Sequence, residues 1–172
     1  MPINKSNTKN LYVSSTFLKN GKSIKYAIKL LNSCNIFNIE IGSNHCYEKN
    51  LNFFKKFSVK NNFLLHNYFP VPKKSFVINI ASDDVRIRNK SIEQIKKSIN
   101  LAKKYNFKIF SFHPGFIGDP DESIDPKNRN FDFIWKKKIK TSYQKAWNNL
   151  INSLKIIVKE ASKKKIKICL ET

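Results

Sequence analysis

The sequence predicts an α/β fold: a parallel (β/α) barrel, incomplete, with about five strands and four helices of the eight-fold design. Three observations carry this expectation. Short β-prone runs alternate with segments whose apolar residues recur at helical spacing, the rhythm of a parallel sheet covered by helices. Each strand-like run is apolar on one face, while the opposite face turns polar at its C-terminal end. No glycine-rich phosphate fingerprint follows any of these runs, and the chain has only 4 glycines, which favours a barrel over a dinucleotide-binding or P-loop architecture.

The elements follow in order. "LYVSS" (11–15) reads as the first strand. A helix from about Ser23 to Asn32 then places Ile24, Ala27, Ile28 and Leu31 on one face. "IFNIEI" (36–41) is the second strand, with a shorter helix near Glu48–Phe57 behind it, and "FLLH" (63–66) is the third. A loop with Pro70 and Pro72 leads to the apolar piece "FVINI". Ser91 and Gln94 have the spacing of a capping box before a helix carrying Ile92, Ile95, Ile99 and Ala102 inward. "KIFSFH" (108–113) is the fourth strand. After a long loop comes the longest helix, with Tyr143, Trp147, Leu150, Leu154, Ile157 and Ala161 at helical spacing. "IKICLE" (166–171) is the fifth strand.

Composition bounds the rest. At 172 residues the chain is read as one domain, 1–172, apparently truncated after its fifth strand. The opening "MPINKSNTKN" is polar, unlike a signal peptide, and no apolar run approaches the ~20 residues a membrane span requires. Three cysteines (Cys34, Cys46, Cys169) without CxxC spacing point to a reduced, cytoplasmic chain. The net charge of +21 invites a nucleic-acid partner. It comes almost wholly from lysines scattered over helical faces, which a solvated surface and an A/T-rich genome explain equally well.

Strand parity turns the fold into a site. Phe37, Ile39 and Ile41 oppose Asn38 and Glu40; Phe63 and Leu65 oppose Leu64 and His66. Phe110 and Phe112 oppose Ser111 and His113; Ile168 and Leu170 oppose Cys169 and Glu171. The C-terminal strand ends form the mouth of a barrel, so Glu40, His66, His113 and Glu171 are expected to converge there. Two imidazoles and a carboxylate suit a divalent metal, zinc or manganese, with His66, His113 and Glu171 as ligands. Glu171 and Glu40 are the candidate catalytic carboxylates, Glu40 being equally readable as a buried partner of a lysine. His45, in "SNHCYE", reads as a loop histidine. The acidic stretch "DPDESIDP" (119–126) fails as a calcium loop: Ile124 and Asn130 stand where an EF-hand needs Gly and Glu. It reads instead as a lid or specificity segment over the mouth.

"LLHNYFPVPKKSFVINIAS", then "SFHPG", then "CLET" closing a strand, resemble the xylose-isomerase-like TIM-barrel superfamily. The resemblance runs from about Leu11 to the last residue. That superfamily holds sugar and sugar-phosphate isomerases and epimerases together with the endonuclease IV type of abasic-site nuclease (AP endonuclease family 2). The nuclease branch implies zinc ligands at His66, His113 and Glu171. The isomerase branch implies a metal ligand and proton-transfer role at Glu171. "GSNHCYEKN" lacks the arginine that the nuclease branch usually carries after its second strand.

The first expectation is therefore a divalent-metal-dependent isomerase or epimerase of a small sugar or sugar phosphate. Lys73, Lys74, Arg86 and Arg88 are the candidates for meeting a substrate phosphate. The alternatives are a zinc-dependent abasic-site endonuclease acting on DNA, and an inactive barrel fragment that self-associates through its open edges.

Overall fold

In the computed structural model, residues 11–18, 21–120 and 141–171 are described. Five parallel strands stand in the order β1–β2–β3–β4–β5, the order of the chain, with four helices between them. The strands are β1 (Val13–Ser14), β2 (Asn38–Ile41), β3 (Asn62–His66), β4 (Ile109–Phe112) and β5 (Lys167–Leu170). The helices are α1 (Ile24–Ser33), α2 (Phe54–Phe57), α3 (Val85–Tyr105) and α4 (Tyr143–Lys164). A turn of 3-10 helix, Ser15–Phe17, follows β1 and shortens the expected first strand. The second helix is likewise shorter than Glu48–Phe57, because only Phe54 carries it into the core.

Register explains the core. Ile41 pairs with Leu65, Leu65 with Phe110 and Phe110 with Ile168, so one apolar row crosses four strands. Ile39, Ile41, Leu65 and Phe110 are fully buried and pack in one cluster with Ile24 and Ile28 of α1 and Ile95 and Ile99 of α3. Phe54 anchors α2 among Phe63, Phe69, Tyr105 and Phe107 through ring contacts of 5.4–6.0 Å. These are the edge-to-face and tilted arrangements that the aromatic quadrupole favours.

One sequence expectation is corrected, and one apolar stripe is covered only in part. Ser91 is not a cap: α3 starts seven residues earlier, where the Asp84 side chain accepts from Arg86 N. Ser91 sits inside the helix, donating to the Ile87 carbonyl and accepting from Asn79 N, and Gln94 donates to the Pro70 carbonyl. The first turn of α3 buries none of its residues, Val85 being exposed and Ile87 half-buried, so the inward-facing stripe begins later than the helix does. In α4, Tyr143 and Trp147 point outward and stack on each other; the buried positions are Ala146, Ser153, Ile157 and Ala161. Small residues face inward because α4 lies close to the segment before α3, with Ser153 donating to the Ile80 carbonyl (2.8 Å) and Asn149 to that of Ser82 (3.1 Å).

Among the described residues no helix is long and apolar enough to cross a membrane. Residues 121–126 of the acidic stretch lie outside the described residues, as does Thr172.

Candidate metal centre

The three side chains of the centre come from the ends of neighbouring strands. His66 closes β3, His113 stands one residue beyond β4, and Glu171 one beyond β5. The register that pairs His66 with Ser111 also places their side chains together: His66 Nδ1 lies 3.0 Å from Ser111 Oγ. Asn67 follows with φ 51°, and its N–H donates to the Ser111 carbonyl at 2.7 Å, turning the chain away as soon as His66 is in place. Asn tolerates this left-handed conformation better than other non-glycine residues.

Glu171 bridges the histidines. Its Oε1 lies 3.3 Å from His66 Nδ1 and its Oε2 3.9 Å from His113 Nε2. Glu171 N donates to the Phe112 carbonyl at 3.1 Å, which continues the β4–β5 ladder as far as the site. His113 Nδ1 lies 3.3 Å from the Glu171 carbonyl oxygen. The imidazole rings of His66 and His113 stand perpendicular, with centroids 5.4 Å apart. Side-chain exposure is 15% at His66 but 50% at His113 and 43% at Glu171, so the site is closed at the β3 end and open at the ends of β4 and β5.

The donor set fits a divalent ion. One ligand atom from each of His66, His113 and Glu171 lies within 4.8 Å of the others. Donors on a tetrahedral zinc, at bond lengths near 2.0–2.2 Å, stand roughly 3.5 Å apart, so small side-chain rotations close the set. Two neutral imidazole nitrogens and one carboxylate oxygen are ligands that zinc and manganese accept. With Nε2 of His66 as the ligand atom, the Nδ1 contact with Ser111 would be the outer hydrogen bond that commonly orients a metal-binding histidine.

The other candidates lie elsewhere. Glu40 pairs in register with Ser14 and Leu64, outside the His66–His113–Glu171 group, and forms no ion pair among the described residues. Lys73 and Lys74 are exposed on the loop after β3. Arg86 grips Asp84, with Nη2 2.8 Å from Oδ2, and its hydrogen bonds hold the Asp84 carboxyl down at about 2. Arg88 donates to the Ser82 carbonyl. His45 is buried between Ser15 Oγ (2.8 Å from Nε2) and the Lys22 carbonyl (3.1 Å from Nδ1), and burial pushes its pKa below 6.5.

Sequence reasoning missed Ser111, Asn79 and Asp119. Asn79 Nδ2 donates to Asp119 Oδ1 (2.8 Å), and Asp119 Oδ2 accepts from Ser82 Oγ (2.7 Å), which ties the loop after β4 to the segment before α3. The available signal was Asn79 itself, a polar residue inside the apolar run "FVINI".

A family model described as "Xylose isomerase-like TIM barrel" matches residues 34–172. Among curated proteins, none matches the sequence. Solved structures resemble the chain in fold. A D-tagatose 3-epimerase-like protein is 21% identical with a TM-score of 0.64, covering 93% of this chain and 51% of its own. D-Psicose 3-epimerase from Clostridium cellulolyticum, solved with D-tagatose, is 13% identical with a TM-score of 0.61, covering 93% and 51%. A Thermus thermophilus protein soaked with ZnCl2 is 12% identical with a TM-score of 0.57, covering 93% and 54%. The chain thus spans about half the length of the solved structures it matches. With the family model covering most of the sequence and the parallel βα order agreeing with it, the chain belongs to the xylose isomerase-like TIM-barrel family.

Proposed function

We propose that this chain, read as one domain over 1–172, contributes to a divalent-metal-dependent isomerase or epimerase acting on a small sugar or sugar phosphate. His66, His113 and Glu171 are the ligands in this reading, with zinc or manganese as the ion. The observation that carries it is the convergence of those side chains from three successive strand ends, in a fold whose solved neighbours include sugar 3-epimerases.

A bound ion would supply Lewis acidity toward adjacent hydroxyl and carbonyl oxygens of the substrate. The protein supplies the rest. Ser111 holds the His66 ring in orientation, and the Glu171 carboxylate, half exposed between two imidazoles, reaches the space above the strand ends. As a general base, Glu171 takes the proton from the carbon beside a carbonyl. In an isomerase it returns that proton to the neighbouring carbon; in an epimerase it keeps the proton while a protonated carboxylate on the opposite face delivers its own to the same carbon, inverting it. Glu40 is the second carboxylate in this reading. Lys73 and Lys74 are the exposed cations open to a phosphate, since Arg86 and Arg88 engage Asp84 and the Ser82 carbonyl. The cysteines Cys34, Cys46 and Cys169 are free, in keeping with a reducing, cytoplasmic setting.

One observation favours a second reading, a zinc-dependent abasic-site endonuclease. The donor set holds two imidazoles to one carboxylate, and the chain carries a net charge of +21, which suits a phosphodiester on a polyanion. Protein loaded with Mn2+ or Zn2+ is assayed for ketohexose epimerisation and for nicking of an abasic duplex at low salt, beside E171Q. The first reading expects epimerisation, and E171Q to bind metal more weakly by roughly tenfold or more, since even outer-shell losses reach that size. Nicking without epimerisation assigns the site to the second reading, and wild-type protein that takes up no metal overturns both.

A further inference from the structure

We propose that Asn79 is a positioning residue for this centre: its buried side-chain amide clamps the backbone that follows His113 and so sets His113 against His66 and Glu171. The proposal rests on the metal-site reading above.

The two histidines are held differently. His66 is mostly buried and braced by Ser111, whereas the His113 ring is half exposed and, among the described residues, hydrogen-bonds only with Glu171. Where His113 points therefore depends on its backbone. Asn79, fully buried 34 positions earlier in the chain, controls that backbone. Its Oδ1 accepts from Phe116 N (3.1 Å) and its Nδ2 donates to the Phe116 carbonyl (3.1 Å), a two-point pairing that imitates a strand partner. The same Oδ1 accepts from Ala81 N (3.0 Å), and the same Nδ2 donates to Asp119 Oδ1 (2.8 Å), so the amide is fixed from both ends. Ile80 N adds a bond to the Pro114 carbonyl at 3.1 Å. Pro114 and Phe116 are thus both tied to the segment before α3.

Gly115 makes the close approach possible. Its φ of 130° is a glycine conformation, and a Cβ there would stand 2.2 Å from Asn79 Oδ1. The clamp also needs both faces of an amide. A carboxylate at position 79 would keep the acceptor role, lose the donations to the Phe116 and Gly118 carbonyls and to Asp119, and confront the Asp119 carboxylate.

The test uses the whole chain and N79D, with zinc alone as the probe. The protein has 3 histidines, so a proton–carbon correlation spectrum of the imidazoles shows three ring signals, and His45 reports that the fold is intact. Without metal, E171Q is expected to move the His113 signal in the parent protein but not in N79D, with the His45 signal unmoved throughout. With metal, N79D is expected to weaken Zn2+ binding by about tenfold, the lower range for loss of an outer-shell partner. I99V, a core change in α3, leaves binding unaltered. The double variant N79D/D119N, which restores a donor facing an acceptor, recovers part of the affinity. If N79D does not fold, D119A removes one anchor of the clamp and is expected to reduce the response of the His113 signal to E171Q without abolishing it. An His113 signal that responds to E171Q identically in both backgrounds overturns the proposal, whatever the zinc result. A wild-type chain that binds no zinc, with the E171Q response still lost in N79D, overturns the metal reading and leaves the clamp standing.

Discussion

Phe112 and Leu170 occupy one rung of the sheet, on β4 and β5, and their sequence contexts read alike. Phe112 is 0% exposed and Leu170 45%. Alternation along a strand decides which residues share a face, but what lies on either side decides whether that face is dry. β2 to β4 each have a strand on both sides, and their buried apolar residues pack in one cluster with residues of α1 and α3. Among the described residues β5 has β4 on one side only, and α4 carries exposed Trp147, Ile156 and Val158. The β1 margin is similar, with Leu11, Val13 and Phe17 exposed. The candidate centre straddles this division: His66 stands on the interior strand, Glu171 on the margin.

The largest expected effect measures that division directly. Phe110→Ala removes a ring buried among four strands and costs about 3–5 kcal/mol. Leu170→Ala, two rungs further at the margin, changes stability by about 0.5 kcal/mol, as surface substitutions do. Urea unfolding of both variants is the measurement. Equal losses would mean that β5 is as well packed as β4 and would break the comparison. Should Phe110→Ala fail to fold, Phe110→Leu serves at smaller amplitude.

The second effect concerns association. Among the described residues β1 and β5 each have a strand on one side only, with apolar side chains beside them, and such edges invite pairing with another chain. The 172-residue chain alone is expected to show concentration-dependent sedimentation, which L170K together with W147K reduces. A monomer at every concentration, unaltered by those changes, would show that the margins are inert.

Much of the interior was legible in the sequence, for a definite reason. Ile39, Ile41, Phe63, Leu65, Phe110 and Phe112 are all buried, because period-two alternation in a parallel sheet with a covered face leaves little freedom. The helix margins were not legible. Tyr143, Trp147, Leu150 and Leu154 share the apolar arc of α4 with Ile157 and Ala161, but the arc is wider than the face that is covered. Hydrophobicity alone does not say which part lies against α3. Ser91 misled because a serine three residues before a glutamine also suits a helix interior, where its hydroxyl meets Ile87 and Asn79. Parity brought out the grouping of His66, His113 and Glu171. Ser111 and Asn79 stayed hidden, since their partners lie 45 and 37 positions away across loops of no regular period.

The smallest expected effect sits at the opposite margin, where a polar lock joins the loop after β2 to the segments around β1 and α1. In the neutral ring with its proton on Nδ1, His45 donates to the Lys22 carbonyl and Nε2 accepts from Ser15 Oγ, whose oxygen in turn accepts from Gly42 N at 3.0 Å. That arrangement needs the neutral ring, and burial lowers the His45 pKa accordingly, against the opposing pull of the Lys22 bond and of Glu48, itself held by Ser23. The sign follows from proton linkage. Above pH 6.5 neither the folded nor the unfolded chain protonates His45, so its contribution is complete. As the pH falls through 6.5 the unfolded chain takes up a proton that the folded chain refuses, and stability declines until the folded pKa is reached. One such group gives a slope of at most about 1.4 kcal/mol per pH unit. Urea midpoints measured from pH 7.5 downward are expected to fall in the wild-type chain, and His45→Gln is expected to flatten that fall. An acid slope that His45→Gln leaves unchanged would place the titrating group elsewhere. Amide exchange at Gly42 localises the effect: it should quicken at acid pH relative to amides in the middle of α3, because the β1 margin opens before the interior does.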